Sequence, residues 1–299
     1  MYAYNYDVIF ISYDEPNADE NWEHLTDLVQ HAKRVHAIKG IDAAHKAAAE
    51  LATTDHFFVI DGDTKVDKWF FRQTLENLNP NYVYSWSARN VVNGLVYGNG
   101  GAKLWPRHIM LNMKSHETNG GTDFCWMVPY YQMDAISSTT YINATPYQAF
   151  RTGFREGVRM SLDNGKPVKN PRTGVWVENY YRLLTWVNVG TDVKNGSWAT
   201  LGASVGCYEV CLGGLDVALI SDYDWMEQMW NNKWSSLTPH DEKNYKYMLR
   251  YKLRMPVTML DKDASAFARE IVHNPVRSGL MLPDLGSDEY LKKMGWFKE

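Results

Sequence analysis

Two carboxylates separated by one glycine, Asp61-Gly62-Asp63, come directly after the apolar run Phe57-Phe58-Val59-Ile60. Like charges at that spacing repel unless a cation or a shared proton lies between them. The pair is therefore either a solvated turn or half of a site for a hard divalent ion, which prefers such oxygens. Asp14 has a similar setting: an apolar run over residues 6–12 leads into the polar turn Tyr13-Asp14-Glu15-Pro16-Asn17. A third element, Gly98-Asn99-Gly100-Gly101-Ala102-Lys103, places three glycines in four positions ahead of a lysine. Such a segment lets backbone approach a ligand closely, with Lys103 adding charge for an anion, although many glycine loops are only turns.

What must position these residues is legible in the pattern around them. Residues 6–12 and 57–60 read as buried strands, rich in β-branched and aromatic side chains. An acid-fronted helix begins near Asp19, in keeping with the helix dipole, and residues 34–38 form a second short strand. From Ile41, apolar and small residues at Ala44, Ala48 and Leu51 recur at helical spacing. Strand, helix, strand, helix, strand is the order of a parallel sheet, where ligands bind beyond the carboxyl ends of the strands. Asp14 and Asp61 both fall just past a strand end and so share one crevice in this reading. Residues 83–86 form another strand, with residues 97–103 as loop. After about residue 145 the character turns helical: residues 146–160, with Arg151, Arg155 and Arg159 on one face, then 176–187 and 198–209. Thr238-Pro239-His240-Asp241 opens a further helix and leads into the basic, tyrosine-rich residues 243–254.

A formal charge of −4 provides no global attraction to nucleic acid or anionic membrane and leaves such binding to a local basic patch. Cys125, Cys207 and Cys211 are an odd set without metal-ligand spacing, the pattern of reduced thiols in the cytoplasm. The start of the chain lacks the basic and apolar regions of a signal peptide, and no window reaches the roughly 18 apolar residues of a membrane span. With 12 Trp and 19 Tyr, the chain has aromatics either for ligand pockets and interfaces or for its cores.

Taken together, YDVIFISYDEPNADENW, VHAIKGIDAAHKAAAE, VIDGD and YGNGGAKLWPR resemble the glycosyltransferase-A fold superfamily (family 2-like). More particularly, the chain looks like glycosyltransferase-like proteins of large tailed bacteriophages. The likeness spans roughly residues 6 to 110, and residues 146 to 230 look like the helical portion of those phage proteins. It implies an α/β fold: a mostly parallel, Rossmann-like sheet in a nucleotide-sugar-binding domain over residues 1–145, and a mainly helical acceptor-side or accessory region over 146–299. It also implies the cytoplasm of the host cell as location, and no membrane partner.

The activity implied is metal-dependent transfer of a sugar from a nucleotide-sugar, with Mn²⁺ or Mg²⁺ neutralising the departing diphosphate. Asp63 is the direct metal ligand, with Asp61 on the metal, the ribose or a metal-bound water, and His273 the candidate third ligand. Tyr13 would stack on the base and Asp14 bond to base or ribose, while Lys39, Gly100, Gly101 and Lys103 complete the nucleotide-binding set. An inverting enzyme needs a base for the acceptor proton, whereas a retaining one can do without it, and both stay open; for the former, Asp123, in Gly120-Gly121-Thr122-Asp123, is preferred over Glu156 and Asp192. One acceptor class is the hydroxymethylated base of phage double-stranded DNA, met by the basic segments; sugar, lipid-linked and protein acceptors use the same donor machinery. Two other readings stay open. The first is a metal-dependent phosphotransferase, although Thr64-Lys65 and the late strand position depart from the haloacid-dehalogenase-like pattern. The second is a non-catalytic or nucleic-acid-binding protein that keeps the fold.

Overall fold

The computed structural model of the chain describes residues 1–98, 101–112 and 128–273. It divides into two compact units: Met1–Val91 with Val96–Ile142, and Val92–Leu95 with the chain from Asn143 onward.

The first unit is a mixed α/β layer structure. Its strands are β1 (Asp7–Ser12), β2 (Lys33–His36), β3 (His56–Asp61), β4 (Thr64–Val66), β5 (Val83–Asn90), β6 (Val96–Tyr97), β7 (Ala102–Pro106) and β8 (Tyr130–Thr140). Helices α1 (Ala18–Leu28), α2 (Ile41–Leu51) and α3 (Arg107–Asn112) accompany them. The eight strands form one sheet in the order β2-β1-β3-β7-β5-β8-β4, with β6 on β5. Alternate residues of β1 and β3 feed opposite faces: Val8, Phe10, Phe58 and Ile60 pack with Leu25 and Val29, while Ile9, Phe57 and Val59 pack with Ala48 and Ala49. Burial on both faces explains why these strands read as unbroken apolar runs.

The sheet is mixed, its largely parallel pairing interrupted by antiparallel strands. Among the described residues, β1–β2, β1–β3 and β5–β8 are parallel, and β3–β7, β5–β7, β5–β6 and β4–β8 antiparallel. The departure lies where glycine suggested a loop: Ala102 to Pro106 is strand β7, inserted antiparallel between β3 and β5. Lys103 is therefore a strand residue, opposite Val59 on one side and Ser85 on the other.

The second unit is mainly helical, with α4 (Pro146–Arg159), α5 (Pro171–Gly174), α6 (Val177–Asn188), α7 (Gly196–Tyr208), α8 (Tyr223–Asn232), α9 (Pro239–Lys252) and α10 (Lys262–His273). A hairpin, β9 (Leu162–Asp163) with β10 (Lys166–Pro167), turns at Asn164-Gly165, both at positive φ, as a two-residue hairpin turn requires. Helices α4 and α7 meet backbone to backbone through Gly153, Gly157, Gly202 and Gly206. A Cβ added at any of these would stand 2.1 to 2.3 Å from a carbonyl oxygen of the other helix. The core beside this pair is aromatic: Phe150, Phe154 and Trp234 are enclosed, with Trp198, Trp225 and Trp230 packed against them. Much of the aromatic surplus is thus core. Helix α9 starts in a full capping box between Thr238 and Asp241. Its buried side carries an ion pair, Lys246 Nζ to Glu242 at 3.0 Å. Thr200 Oγ1 donates to Glu242 and Lys246 donates to the Thr258 carbonyl, so both charges are satisfied. Cys207 and Cys211 are free thiols.

Candidate functional site

Strand register brings the acidic residues together. Ile11 of β1 is level with Asp61 of β3, and Ser12 with His36 of β2, so all three parallel strands end on one edge. The chain leaving β1 forms the turn of Tyr13, Asp14 and Glu15; the chain leaving β3 forms Asp61-Gly62-Asp63. The second turn is fixed through its backbone. Asn21 Nδ2 of α1 donates to the Gly62 carbonyl at 2.9 Å, and Tyr141 N–H donates to the Asp63 carbonyl at 2.7 Å. Gly62 is where the two turns approach: a Cβ there would lie 2.7 Å from Glu15 Oε2 and 3.0 Å from Ser12 Cβ.

Glu15 is a participant that the sequence did not single out. Its Oε2 accepts the Tyr13 N–H at 2.8 Å. Burial, reinforced by the charges of Asp14 and Asp61, holds its carboxyl above the usual carboxylate range despite that hydrogen bond. Three carboxylates from two strand ends therefore share one field. Asp61 and Asp63 are partly exposed, Tyr13 and Asp14 exposed.

His45, on α2, is the second such participant. It is buried, and its Nδ1 donates to the Ile41 carbonyl at 2.8 Å, which leaves Nε2 as the lone-pair nitrogen of the neutral ring. Burial depresses its basicity and Lys103 acts in the same direction; the Ile41 carbonyl, Asp61 and Asp42 oppose. His45 thus senses both Asp61 and Lys103, which ties α2, β3 and β7 to one locus. Its signal in the sequence was one histidine on an otherwise small, apolar helix face.

The neighbouring edge of β1 and β2 is polar and fully knitted. Ser12 Oγ lies 2.9 Å from His36 Nδ1 and accepts from Arg34 Nε at 2.9 Å, while Arg34 also binds Asp19 at 2.7 Å. Beyond it, Ala37 holds φ 59° and Gly40 φ 94° in the loop that carries exposed Lys39. A left-handed alanine costs about 1–2 kcal/mol, a strain found where a loop is held for a purpose.

Tyr13, Asp14, Lys39, Asp61, Asp63 and Lys103 all belong to the first unit, and Gly101 directly precedes β7 at φ 76°. Asp123 and Gly100 lie outside the described residues. His273 closes α10 of the second unit, and its side chain is likewise outside them. The rival bases are engaged: Glu156 is buried and paired with Arg159 at 3.2 Å, and Asp192 binds Arg269 and Ser265. The arginine face of α4 is engaged too. Arg151 lies over the rings of Tyr147 and Tyr223, and Arg155 donates to the Tyr223 hydroxyl at 2.8 Å.

No group of three or more His, Cys, Asp or Glu side chains converges on a metal position among the described residues. Asp61 and Asp63 nonetheless suit a small hard ion that takes one or two carboxylates and completes its shell with phosphate oxygens and water. No helix among the described residues is long and apolar enough to cross a membrane. In comparisons with known proteins, no family model and no curated sequence matches the chain.

Proposed function

We propose that the first unit binds a nucleotide-sugar and that the protein transfers the sugar to an acceptor. The observation that carries this reading is the convergence of Asp14 and Glu15 from β1 with Asp61-Gly62-Asp63 from β3, beside His45 and Lys103, at the carboxyl edge of parallel strands. A surface turn would need neither a glycine that makes room for a half-buried glutamate nor three carboxylates in one field.

Asp61 and Asp63 would hold the divalent ion, whose chemistry is Lewis-acid stabilisation of the leaving diphosphate, worth several kcal/mol. The chain's own residues do the rest. Lys103 offers a cation from strand β7, and buried His45 lies within the field of Asp61 from the helix side. Tyr13, at 45% exposure, presents a ring face to a base, and Asp14 presents acceptors to ribose hydroxyls. Asp123 remains the proposed base.

The test is thermal melting with Mn²⁺ and a panel of nucleotide-sugars. A donor at about 100 times its Kd adds about 2.7 kcal/mol of stability. Asp61→Asn with Asp63→Asn is expected to keep the fold, abolish the Mn²⁺-dependent shift and stop sugar transfer. Undiminished turnover in that variant would sink the reading. A fold-retaining, non-catalytic protein is the second reading, and an unshifted melt with every donor selects it.

A further inference from the structure

Helix α9 has two faces of opposite character. Glu242, Lys246, Leu249 and Leu253 are buried on one. On the other, Lys243, Tyr247, Arg250, Tyr251 and Arg254 recur at helical spacing, and all are exposed. The Tyr247 and Tyr251 rings, 61% and 55% exposed, stack almost parallel, at 5° with centroids 5.7 Å apart. Arg254 and Lys252 place their charges 5.8 and 5.7 Å from the Tyr251 centroid. Tyr247, Arg250, Tyr251 and Arg254 line an open cleft of ≈ 300 Å³.

Lys243, Arg250, Lys252 and Arg254 make no ion pair within the described residues. No acidic residue falls between Lys243 and Arg254. Arg254 also holds φ 55°, just past the helix end, where glycine is the usual occupant. Basic residues in a last turn do complement the helix dipole. That accounts for Arg250 and Lys252, but not for two tyrosine faces in water or for an arginine kept on a left-handed backbone.

We propose that this face binds single-stranded nucleic acid, with bases stacking on Tyr247 and Tyr251 and phosphates meeting Arg250, Arg254 and Lys243. Exposed aromatic faces flanked by uncompensated cations are what a flexible polyanion of aromatic bases requires. A duplex hides its base faces; an acidic peptide uses the charges but not the rings, and a neutral sugar the reverse. The inference stands apart from sugar transfer, since neither donor nor metal enters it.

The experiment is fluorescence anisotropy of the full chain with labelled oligothymidylate in EDTA, at about 50 and 200 mM salt, with a duplex and polyglutamate as competitors. Binding is expected to weaken steeply with salt. Tyr247→Ala with Tyr251→Ala should lower affinity at least ~10-fold at an unchanged salt slope. Arg254→Gly, which suits the backbone, should melt no lower than the parent while losing affinity and reducing the slope by about one. Absence of oligothymidylate binding overturns the proposal. So does equal competition by duplex or polyglutamate, or parental affinity in the folded tyrosine double variant.

Discussion

At the scale of single residues, the carboxylates of the first unit have opposite fates, set by their donors. Asp7 begins β1 and is buried. Burial by itself would raise its carboxyl, but the Thr53 and Thr54 backbone, the Thr53 hydroxyl and Lys33 donate to it and together lower it to about 2. Glu15 has fewer donors and two acidic neighbours, and moves the other way. A depressed carboxylate stabilises the fold above its unfolded value, near 3.8, and that contribution fades as pH falls through 2. Urea midpoints from pH 7 to pH 2 should therefore show Asp7→Asn less stable than the parent by roughly 2 kcal/mol near neutrality. The gap should close between about pH 4 and pH 2. A constant gap across that window would show that Asp7 acts by shape rather than by charge.

At the scale of elements, the closest packing is that of α4 on α7, and it depends on absent side chains. Gly157→Ala would set a methyl 2.3 Å from the Ala203 carbonyl, a backbone atom that cannot step aside, so the helices must part. A loss of about 2–3 kcal/mol is expected, and a Tm lower by several degrees. Gly98→Ala, whose nearest neighbour is 3.7 Å away, is the control and should melt like the parent. These glycines were visible in the sequence only as small residues, because nothing along one helix announces which surface its partner will meet. Strands β1 and β3 and helices α1 and α2 were legible because burial on both faces or on one stripe writes a period into the residues. Strand β7 was not, since Gly98 to Gly101 looked like the loop itself rather than the approach to a strand. The Asp-Gly-Asp turn stood out through its abrupt change of polarity. His45 and Glu15 did not, because their importance lies in which charges face them across the fold.

At the scale of the whole molecule, the two units are not consecutive pieces of chain. Val92–Leu95 belongs to the second unit, with Val92 fully buried and Leu95 nearly so. A fragment beginning at Asn143 lacks those residues and bares the surfaces they cover, among them Gly190 against Val92. It should bind a hydrophobic dye and melt without a sharp transition by circular dichroism, whereas the full chain melts cooperatively. A fragment with a sharp transition and no dye uptake would show that the four residues are dispensable. The modest net charge of −4 averages an acidic turn in one unit with a basic helix face in the other, so the total describes neither. Beneath that basic face, Lys246 and Glu242 bolt α9 to Thr200 and the Thr258 carbonyl. A platform clamped from below has little rotational freedom left to surrender when a guest lands on it, so its grip should depend on the quality of the fit and hardly at all on the expense of becoming ordered.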